Sequence, residues 1–301
     1  PKSTGLGHDG CEETIRIIGD DTMVKISVLN ENTAGIRGYL AEHGLSLLIE
    51  HNEKRYLFDT GQSDVFMKNA LLLEDNLLNL DAIILSHGHY DHCGGLNYLA
   101  ISYREKEIPL PPIYVRENAF RKKMAINRHH ITYRNIGIPW RRQLVDSALC
   151  PVAEKEEIEK GVWLLGNIPY TVDFEKKPDI FFIEDGEKKI PDYMEDEQLL
   201  IIETEEGLCV FAGCCHAGVI NCLTHVKRSF PGQRIHSVFA GMHLTGESRE
   251  RIDKTIEALE QMNLDILIPV HCTGIAAIGK MKDVFGEKCQ LAETGKRIEI
   301  V

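Results

Sequence analysis

The 301-residue sequence contains no long apolar segment and no Cys-x-x-Cys pair, and basic residues do not outnumber acidic ones. Its apolar runs, such as Ala82–Leu85 and Ile266–Val270, are far shorter than the roughly 20 residues that a membrane-spanning helix needs. Residues 1–20 are polar and lack the apolar core of a signal peptide. We therefore expect a cytoplasmic protein that makes no contact with a membrane.

The charge balance argues against nucleic acid as a partner. Lys and Arg number 34 and Asp and Glu number 46, a formal charge of −12, so the chain as a whole repels phosphates. With 43% apolar and 27% charged residues, the composition is that of a folded globular protein. A local basic stretch still suits an anionic small molecule, and it comprises Arg116, Arg121, Lys122, Lys123, Arg128, Arg134, Arg141 and Arg142.

The nine cysteines are irregularly spaced and odd in number. A disulfide framework uses an even number at regular spacings, so these cysteines are predicted to be reduced thiols. Several of them can serve simply as small buried apolar side chains.

The apolar pattern predicts two packed sheets with helices outside, because each half of the chain starts with strand pairs and ends with alternating strands and helices. Predicted strands are Val24–Leu29, Leu45–Glu50, Arg55–Asp59, Ala82–Ser86, Ile113–Val115, Leu199–Glu203, Leu208–Ala212, Ile235–Ala240 and Asp265–Val270. Predicted helices cover Asp64–Leu73, the segment from Gly94 through Leu99, a basic stretch around Glu117–Ala125, and apolar stripes around Val219–Val226, Ile252–Met262 and Ile275–Phe285.

The region of residues 103–198 is predicted to be an irregular insertion, because prolines and charge runs interrupt it. Such a stretch is either a lid over a binding site or a solvated insertion without a role. His129–His130, beside Arg128 and Arg134, could line such a lid, although a solvated basic face explains them too.

One segment carries the chemistry: Ser86-His87-Gly88-His89-Tyr90-Asp91-His92, directly after an apolar strand. Ligand sites gather at the carboxyl ends of buried strands. Imidazoles and a carboxylate so close together can converge on one or two cations, and these donors suit Zn, with Fe or Mn as alternatives. Gly88 removes a side chain between two ligands and lets the turn tighten.

Further candidates follow later strands. His216, His243 and His271 each come just after an apolar strand, as a convergent site requires, although a lone histidine there can also simply bond a carbonyl. We predict His216 and His271 as ligands and His243 as a substrate contact. Asp59 ends an earlier strand, where it either orients a ligand imidazole or forms a turn. The other isolated histidines, predicted to be structural or exposed, are His8, His43, His51, His225 and His236.

These residues resemble the signature of the metallo-β-lactamase superfamily: His-x-His-x-Asp-His after a strand, with an Asp-Thr-Gly turn upstream. The matching positions here, Asp59, His87 to His92, His216 and His271, span nearly the whole chain. Finer features resemble a subgroup named after a pterin–aminobenzene ribotide synthase, whose members look like metal-dependent hydrolases. Those features are Glu42–Ser46, Asp59–Ser63, Asn69–Ala70, Ser86–Leu96, Gly213–Asn221, Gly241–Leu244 and His271–Gly274.

The resemblance implies a single α/β (α+β) domain over residues 1–301, a four-layer αββα sandwich with one or two metals at its edge. It implies that His87, His89 and a third histidine hold one metal, and that the second is held by Asp91, His92 and His271. Relatives place a metal-bridging Asp where this chain has Cys214. With no histidine in the stretch of residues 161–206, His216 is the candidate third ligand. Cys214 or Cys215 could ligate or tune the site, or both could simply pack.

Three functions follow as hypotheses. The leading one is hydrolysis of an ester, thioester or phosphoester of an anionic small molecule by a metal-bound hydroxide, with Asp91 accepting a proton. The amino end of the helix after His216 would favour an anionic substrate group. The second is transfer chemistry that builds a pterin–aminobenzene bond, and the third is a metal or redox sensor that uses the cysteines near His216 and His271. The oligomeric state stays open.

Overall fold

The computed structural model describes residues 23–127 and 132–301. The upstream elements are β1 (Val24–Asn30), β2 (Ser46–His51), β3 (Lys54–Phe58), α1 (Val65–Leu72), β4 (Ala82–Ile84), α2 (Tyr90–Cys93), α3 (Leu96–Glu105) and β5 (Ile113–Val115). The central elements are β6 (Lys123–Asn127), β7 (Thr132–Asn135), β8 (Leu149–Pro151), β9 (Lys155–Glu159), β10 (Val162–Leu165), β11 (Phe181–Asp185) and β12 (Lys188–Pro191). The downstream elements are β13 (Leu199–Thr204), β14 (Gly207–Ala212), α4 (Val219–Ser229), β15 (Ile235–Gly241), α5 (Arg249–Gln261), β16 (Ile266–Val270), α6 (Ile275–Phe285) and β17 (Arg297–Ile300).

Local signals explain where the helices begin and end. The hydroxyl of Ser248 accepts a hydrogen bond from the Arg251 N–H and caps α5. Ile252, Ile256 and Leu259 then recur at helical spacing and are buried. Helix α6 ends where Gly286 takes a positive φ of 56°, which glycine adopts without steric cost.

Two large sheets form the centre of the described structure. One has the strand order β17-β1-β2-β3-β4-β5-β8 and the other β16-β15-β14-β13-β10-β9. An apolar layer that includes Phe58, Phe211 and Phe239 lies between the sheets. Helices α1 and α3 cover the outer face of the first sheet, and α4, α5 and α6 cover that of the second. The predicted αββα sandwich is therefore confirmed.

The prediction that residues 103–198 are irregular is wrong. Strands β5 and β8 extend the first sheet, and β9 and β10 extend the second. The remaining strands of this region make a separate sheet of order β12-β11-β6-β7. The prolines that suggested irregularity stand mostly at turns and strand ends, where a missing N–H is tolerated.

The basic helix predicted around residues 117–125 is also wrong. A single 3-10 turn covers Glu117–Phe120, and β6 begins at Lys123. Met124 and Ala125 pair with Phe182 and Phe181 of β11, so a long-range strand pairing overrides the local pattern.

Some expectations fall outside the described residues: the polar start of the chain with His8 and Cys11, and the Arg128 and His129–His130 stretch. Within the described ranges, no helix combines the length and the apolar character that crossing a bilayer demands. The cysteines from Cys93 onward are all free thiols.

Candidate metal centre

The predicted site residues meet at one edge of the sandwich. Strands β3, β4 and β5 run parallel, as do β14, β15 and β16, so each set presents its carboxyl ends together. The loops that follow β3, β4, β14, β15 and β16 carry Asp59, the His87–His92 motif, Cys214 with His216, His243 and His271, respectively. Strand direction alone thus brings residues more than 180 positions apart in the sequence into one cluster.

His87, His89 and His216 form what we call the first ligand group. The Nε2 atoms of His87 and His216 are 3.2 Å apart, and the ring centroids of His89 and His216 are 4.8 Å apart. The turn between the first two histidines requires Gly88, because a Cβ there would lie 2.2 Å from the carbonyl oxygen of Ala119. All three imidazoles are buried.

Asp91, His92 and His271 form the second ligand group. The Nε2 atoms of His92 and His271 are 3.3 Å apart, and His271 Nε2 lies 3.6 Å from a carboxylate oxygen of Asp91. Cys214 stands between the groups. Its Sγ lies within 4.8 Å of the ligand atoms of His87 and His216, and equally of those of His92 and His271.

Hydrogen bonds fix the ring nitrogens that face the centre. Asp59 accepts from the Nδ1 of His92 at 2.6 Å and from the hydroxyl of Ser86 at 2.7 Å. Because that hydroxyl donates to Asp59, its oxygen is left to accept from the Nδ1 of His87 at 2.9 Å. Both imidazoles therefore direct Nε2 into the cluster, the arrangement of an oriented metal ligand.

Asn32 performs the same task for His271. The N–H of Gly44 can only donate, so the Asn32 atom that it faces at 3.1 Å is the amide oxygen. That oxygen lies 2.8 Å from Nδ1 of His271, which must then be the donor. The Nε2 lone pair of His271 thus faces the neighbouring Nε2 of His92.

The protonation of the two groups differs. Burial holds the pKa of His87, His89 and His216 well below its usual range, so these rings are neutral. Burial also opposes a charge on His92, but the contact with Asp59 outweighs it and raises the pKa of His92 to about 9. Burial raises the pKa of Asp91, yet the contacts with His271 and His43 and the charge on His92 outweigh it and hold that pKa well below its usual range.

The donor set fits a divalent metal. Among the described residues, Nε2 of His89 is buried without a hydrogen-bond partner, although it adjoins His216. A buried polar atom without a partner is costly, and a cation would satisfy it. Burial raises the pKa of the Cys214 thiol, but a bound cation deprotonates a coordinating thiol outright. Imidazole, thiolate and carboxylate together suit Zn, Fe and similar ions.

Strained backbone occurs at the site as well as elsewhere in the described residues. At the site, Asp59, His243 and His271 have φ values of 59°, 48° and 51°, in the left-handed region that residues other than glycine seldom adopt. Such residues persist where the surroundings over-determine them, which is common at functional sites.

His243 lies beside the first ligand group. Its ring centroid is 4.7 Å from that of His216 and 5.9 Å from that of Phe181, and its side chain is half-buried at the rim. This position is compatible with contact to a substrate, which stays a prediction.

Three expectations need correction. Cys215 packs in the core beneath α4 and not at the cluster. The amino end of α4 is not available to an anion, because Glu175 already accepts the N–H groups of Ile220 and Asn221. Half of the basic stretch is paired with acidic side chains, namely Arg121, Lys122, Lys123 and Arg142. For example, the buried Lys123 pairs with two aspartates, 2.6 Å from Asp192 and 2.7 Å from Asp196.

Several site residues were missed in the sequence. His43, predicted to be structural or exposed, donates from Nε2 to Asp91 at 3.1 Å. Phe181 covers the cluster, 5.3 Å from the ring of His89 and 5.0 Å from that of His216. Glu31 and Asn32 directly follow β1, whose carboxyl end lies at this edge, so the strand-end rule that found the histidines would have found them too.

Comparisons with known proteins point one way. A family model, that of the metallo-β-lactamase superfamily, matches residues 40–190. An uncharacterized protein of Methanocaldococcus jannaschii is 32% identical over 260 residues, 86% of this chain and 94% of that protein. The 7,8-dihydropterin-6-methyl-4-(β-D-ribofuranosyl)-aminobenzene-5′-phosphate synthase of the same organism is 32% identical over 294 residues, 94% of this chain and 98% of the synthase. A crystal structure described as a metal-dependent hydrolase of the β-lactamase superfamily matches with a TM-score of 0.78 and 32% identity, covering 92% of this chain and 99% of that one.

Proposed function

The chain belongs to the metallo-β-lactamase superfamily, and from that premise we propose that it is a metal-dependent hydrolase of an ester, thioester or phosphoester in an anionic small molecule. The observation that carries the proposal is the convergence of two ligand groups on the shared Cys214. A divalent metal, when bound, polarises a substrate oxygen and lowers the pKa of water to near neutrality.

The residues of the chain have distinct tasks in this proposal. His87, His89 and His216 would hold one ion, and His92 and His271 with Asp91 the other, with Cys214 between them. The ionised carboxylate of Asp91 is also the nearest base for a proton released during hydrolysis. Phe181 shields the first ligand group from water, and the half-buried His243 is placed to contact the substrate.

An anionic substrate follows from charge. Two divalent ions would bring four positive charges against one carboxylate and one thiolate, so the loaded centre carries a positive excess. That excess takes the place of the helix terminus, whose N–H groups bond Glu175, and of the basic stretch, half of whose residues pair with acidic side chains. The negative charge of the whole molecule does not oppose this, because the field at the site is set by its nearest charges.

The test is turnover of a panel of phosphodiesters, thioesters and lactones by metal-loaded protein, compared with a variant that carries His87→Ala and His89→Ala. We expect turnover that is lost in the double variant together with bound metal. Unchanged turnover in a double variant shown by elemental analysis to hold no metal would contradict the proposal. The oligomeric state of each preparation should be measured in the same series.

A second candidate is a synthase that joins a pterin to an aminobenzene ribotide. It is favoured by the 32% identity, over 294 residues, to the synthase of M. jannaschii. A rise in melting temperature with pterins or aminobenzoate ribotides, together with no turnover of the ester panel, supports it. No such rise, alongside ester turnover, favours hydrolysis.

A further inference from the structure

Two adjacent acidic residues tie together the loops that carry the first ligand group. Asp196 accepts the N–H of Gly88, between His87 and His89, at 2.7 Å. Glu197 accepts the N–H of His216 at 2.7 Å and that of Ala217 at 3.1 Å. One loop follows β4 of the first sheet and the other follows β14 of the second. The pair therefore spans the two halves of the sandwich, and we call it the acidic clamp.

The acidic clamp is rigidly held. Asp196 and Glu197 are only 1% and 2% exposed. The second carboxylate oxygen of Asp196 accepts from the buried Lys123 at 2.7 Å. The next residue, Gln198, donates its backbone N–H to the carbonyl of Ser86 at 2.9 Å and its side-chain amide to that of Leu85 at 2.8 Å. The base of the clamp is thus bonded to the strand end that starts the histidine motif.

The second ligand group has its own support. Glu31 accepts the N–H of His271 at 2.7 Å, just as Glu197 accepts that of His216. Asn32 then orients the ring of His271. These contacts arise from the segment after β1 and share no hydrogen bond with the acidic clamp.

We propose that Asp196 and Glu197 are positioning residues that set the spacing of His87, His89 and His216, and that they control the first ligand group separately from the second. The inference rests on the metal centre of the proposed function. Partners behind metal ligands commonly contribute about 10- to 100-fold to metal affinity. An amide at position 197 offers one acceptor oxygen where the carboxylate offers two, and its NH₂ group would face a second N–H donor.

A purely structural role predicts a different outcome. Buried carboxylates that accept backbone N–H groups stabilise loops whether or not a metal binds. If that were all, Glu197→Gln would lower the melting temperature of the metal-free protein and weaken both metal sites alike. If the two residues position the first ligand group, Glu197→Gln instead weakens metal binding at that group and leaves binding at the second unchanged.

The experiment is a Co²⁺ titration of the full-length, metal-free protein, followed by the visible spectrum and by chelator competition. We expect two equivalents for the unmodified protein. In Glu197→Gln and in Asp196→Asn, one equivalent should weaken about 10- to 100-fold and the other should keep its affinity. Glu195→Gln is the matched control: this neighbour is exposed, and it should retain both equivalents.

Combined variants identify the weakened site. Adding His89→Ala to Glu197→Gln should cost no further equivalent, whereas adding Asp91→Asn should remove the remaining one. Glu31→Gln should give the reciprocal pattern. If Glu197→Gln fails to fold by circular dichroism, Asp196→Asn carries the test.

Three results would overturn the inference: equal weakening of both equivalents, no weakening of either, or fewer than two equivalents in the unmodified protein. The proposed function fails separately. A protein that binds two Co²⁺ ions with the expected split, yet hydrolyses none of the panel when loaded, retains the acidic clamp and loses the hydrolase assignment.

Discussion

The two ligand groups are built on one plan and held by different parts of the chain. In each, a histidine after a strand of the second sheet donates its N–H to a buried glutamate at 2.7 Å: His216 to Glu197, and His271 to Glu31. Glu197 lies in the segment before β13, whereas Glu31 follows β1. Both groups thus use the same backbone hydrogen bond, but the glutamates that accept it come from different segments of the chain.

Their electrostatics differ more than their geometry. The first ligand group consists of neutral imidazoles under the ring of Phe181. The second contains an ionised carboxylate and a histidine whose pKa is about 9, and it reaches solvent through His43, whose side chain is 54% exposed. Two cations would therefore bind with different affinities and different pH dependence. Substitutions in each group and in their shared thiol should reveal that difference.

Replacing the shared ligand should erase the difference between the groups. Cys214→Ala removes the one donor atom common to both, so we expect the affinity for both ions to fall, about 100-fold or more, with loss of turnover. Elemental analysis after dialysis measures the effect. Cys209→Ala is the control, since that cysteine is buried between the sheets and away from the site. A Cys214→Ala protein that keeps either ion at full affinity would show that the thiol is not shared.

Replacing Asp59 should affect the second ligand group more than the first, because it bonds His92 directly and His87 only through Ser86. In Asp59→Asn we expect about 10- to 100-fold weaker binding at the second group. In the unmodified, metal-free protein His92 keeps its Nε2 proton below its pKa of about 9. Binding there must displace that proton, so affinity should rise with pH by about tenfold per unit up to that pKa.

The pH dependence provides the control for that prediction. The pKa of His92 should fall in Asp59→Asn, so the rise in affinity between about pH 7 and pH 9 should flatten. The first ligand group displaces no imidazole proton in this range, because its three rings are already neutral. Co²⁺ titrations across pH measure both slopes. A slope at the second group that is unchanged in Asp59→Asn would contradict the assignment of the proton to His92.

The candidate ligands were predictable from the sequence because they follow a local rule: a histidine or aspartate directly after an apolar strand. The strands of the two large sheets were predictable too, because buried strands appear in the sequence as unbroken apolar runs. The supports were harder to find. Asp196 and Glu197 stand in an acidic run before a strand, and nothing local distinguishes them from the exposed Glu195. Only the antiparallel entry of β13 brings their carboxylates to the site edge.

The prediction for residues 103–198 failed for a related reason. Its strands are short, and four of them join two different sheets, in which β5, β8 and β10 pair with strands about 30 to 40 residues away. Prolines and charges report only local preferences. The structure of this region is set instead by the edge strands of the sheets with which its strands pair. Phe181 is an example. In the sequence it stands in a short apolar run after Pro178. In the fold its ring covers the imidazoles of His89 and His216.

The smallest predicted effect concerns His43, and it separates a ligand from a neighbour. Asn32 donates to Nδ1 of His43 at 3.4 Å, so the proton of His43 is on Nε2, where it reaches Asp91 at 3.1 Å. The side chain is 54% exposed, and solvent weakens this hydrogen bond. We expect His43→Ala to lower Co²⁺ affinity at the second ligand group about two- to tenfold and to leave the first unchanged. His225→Ala is the control, since that ring bonds the carbonyl of Gly166 and belongs to neither ligand group. A loss of 100-fold or more would make His43 a ligand in its own right, and an equal loss at both groups would remove the solvent-facing character that distinguishes the second.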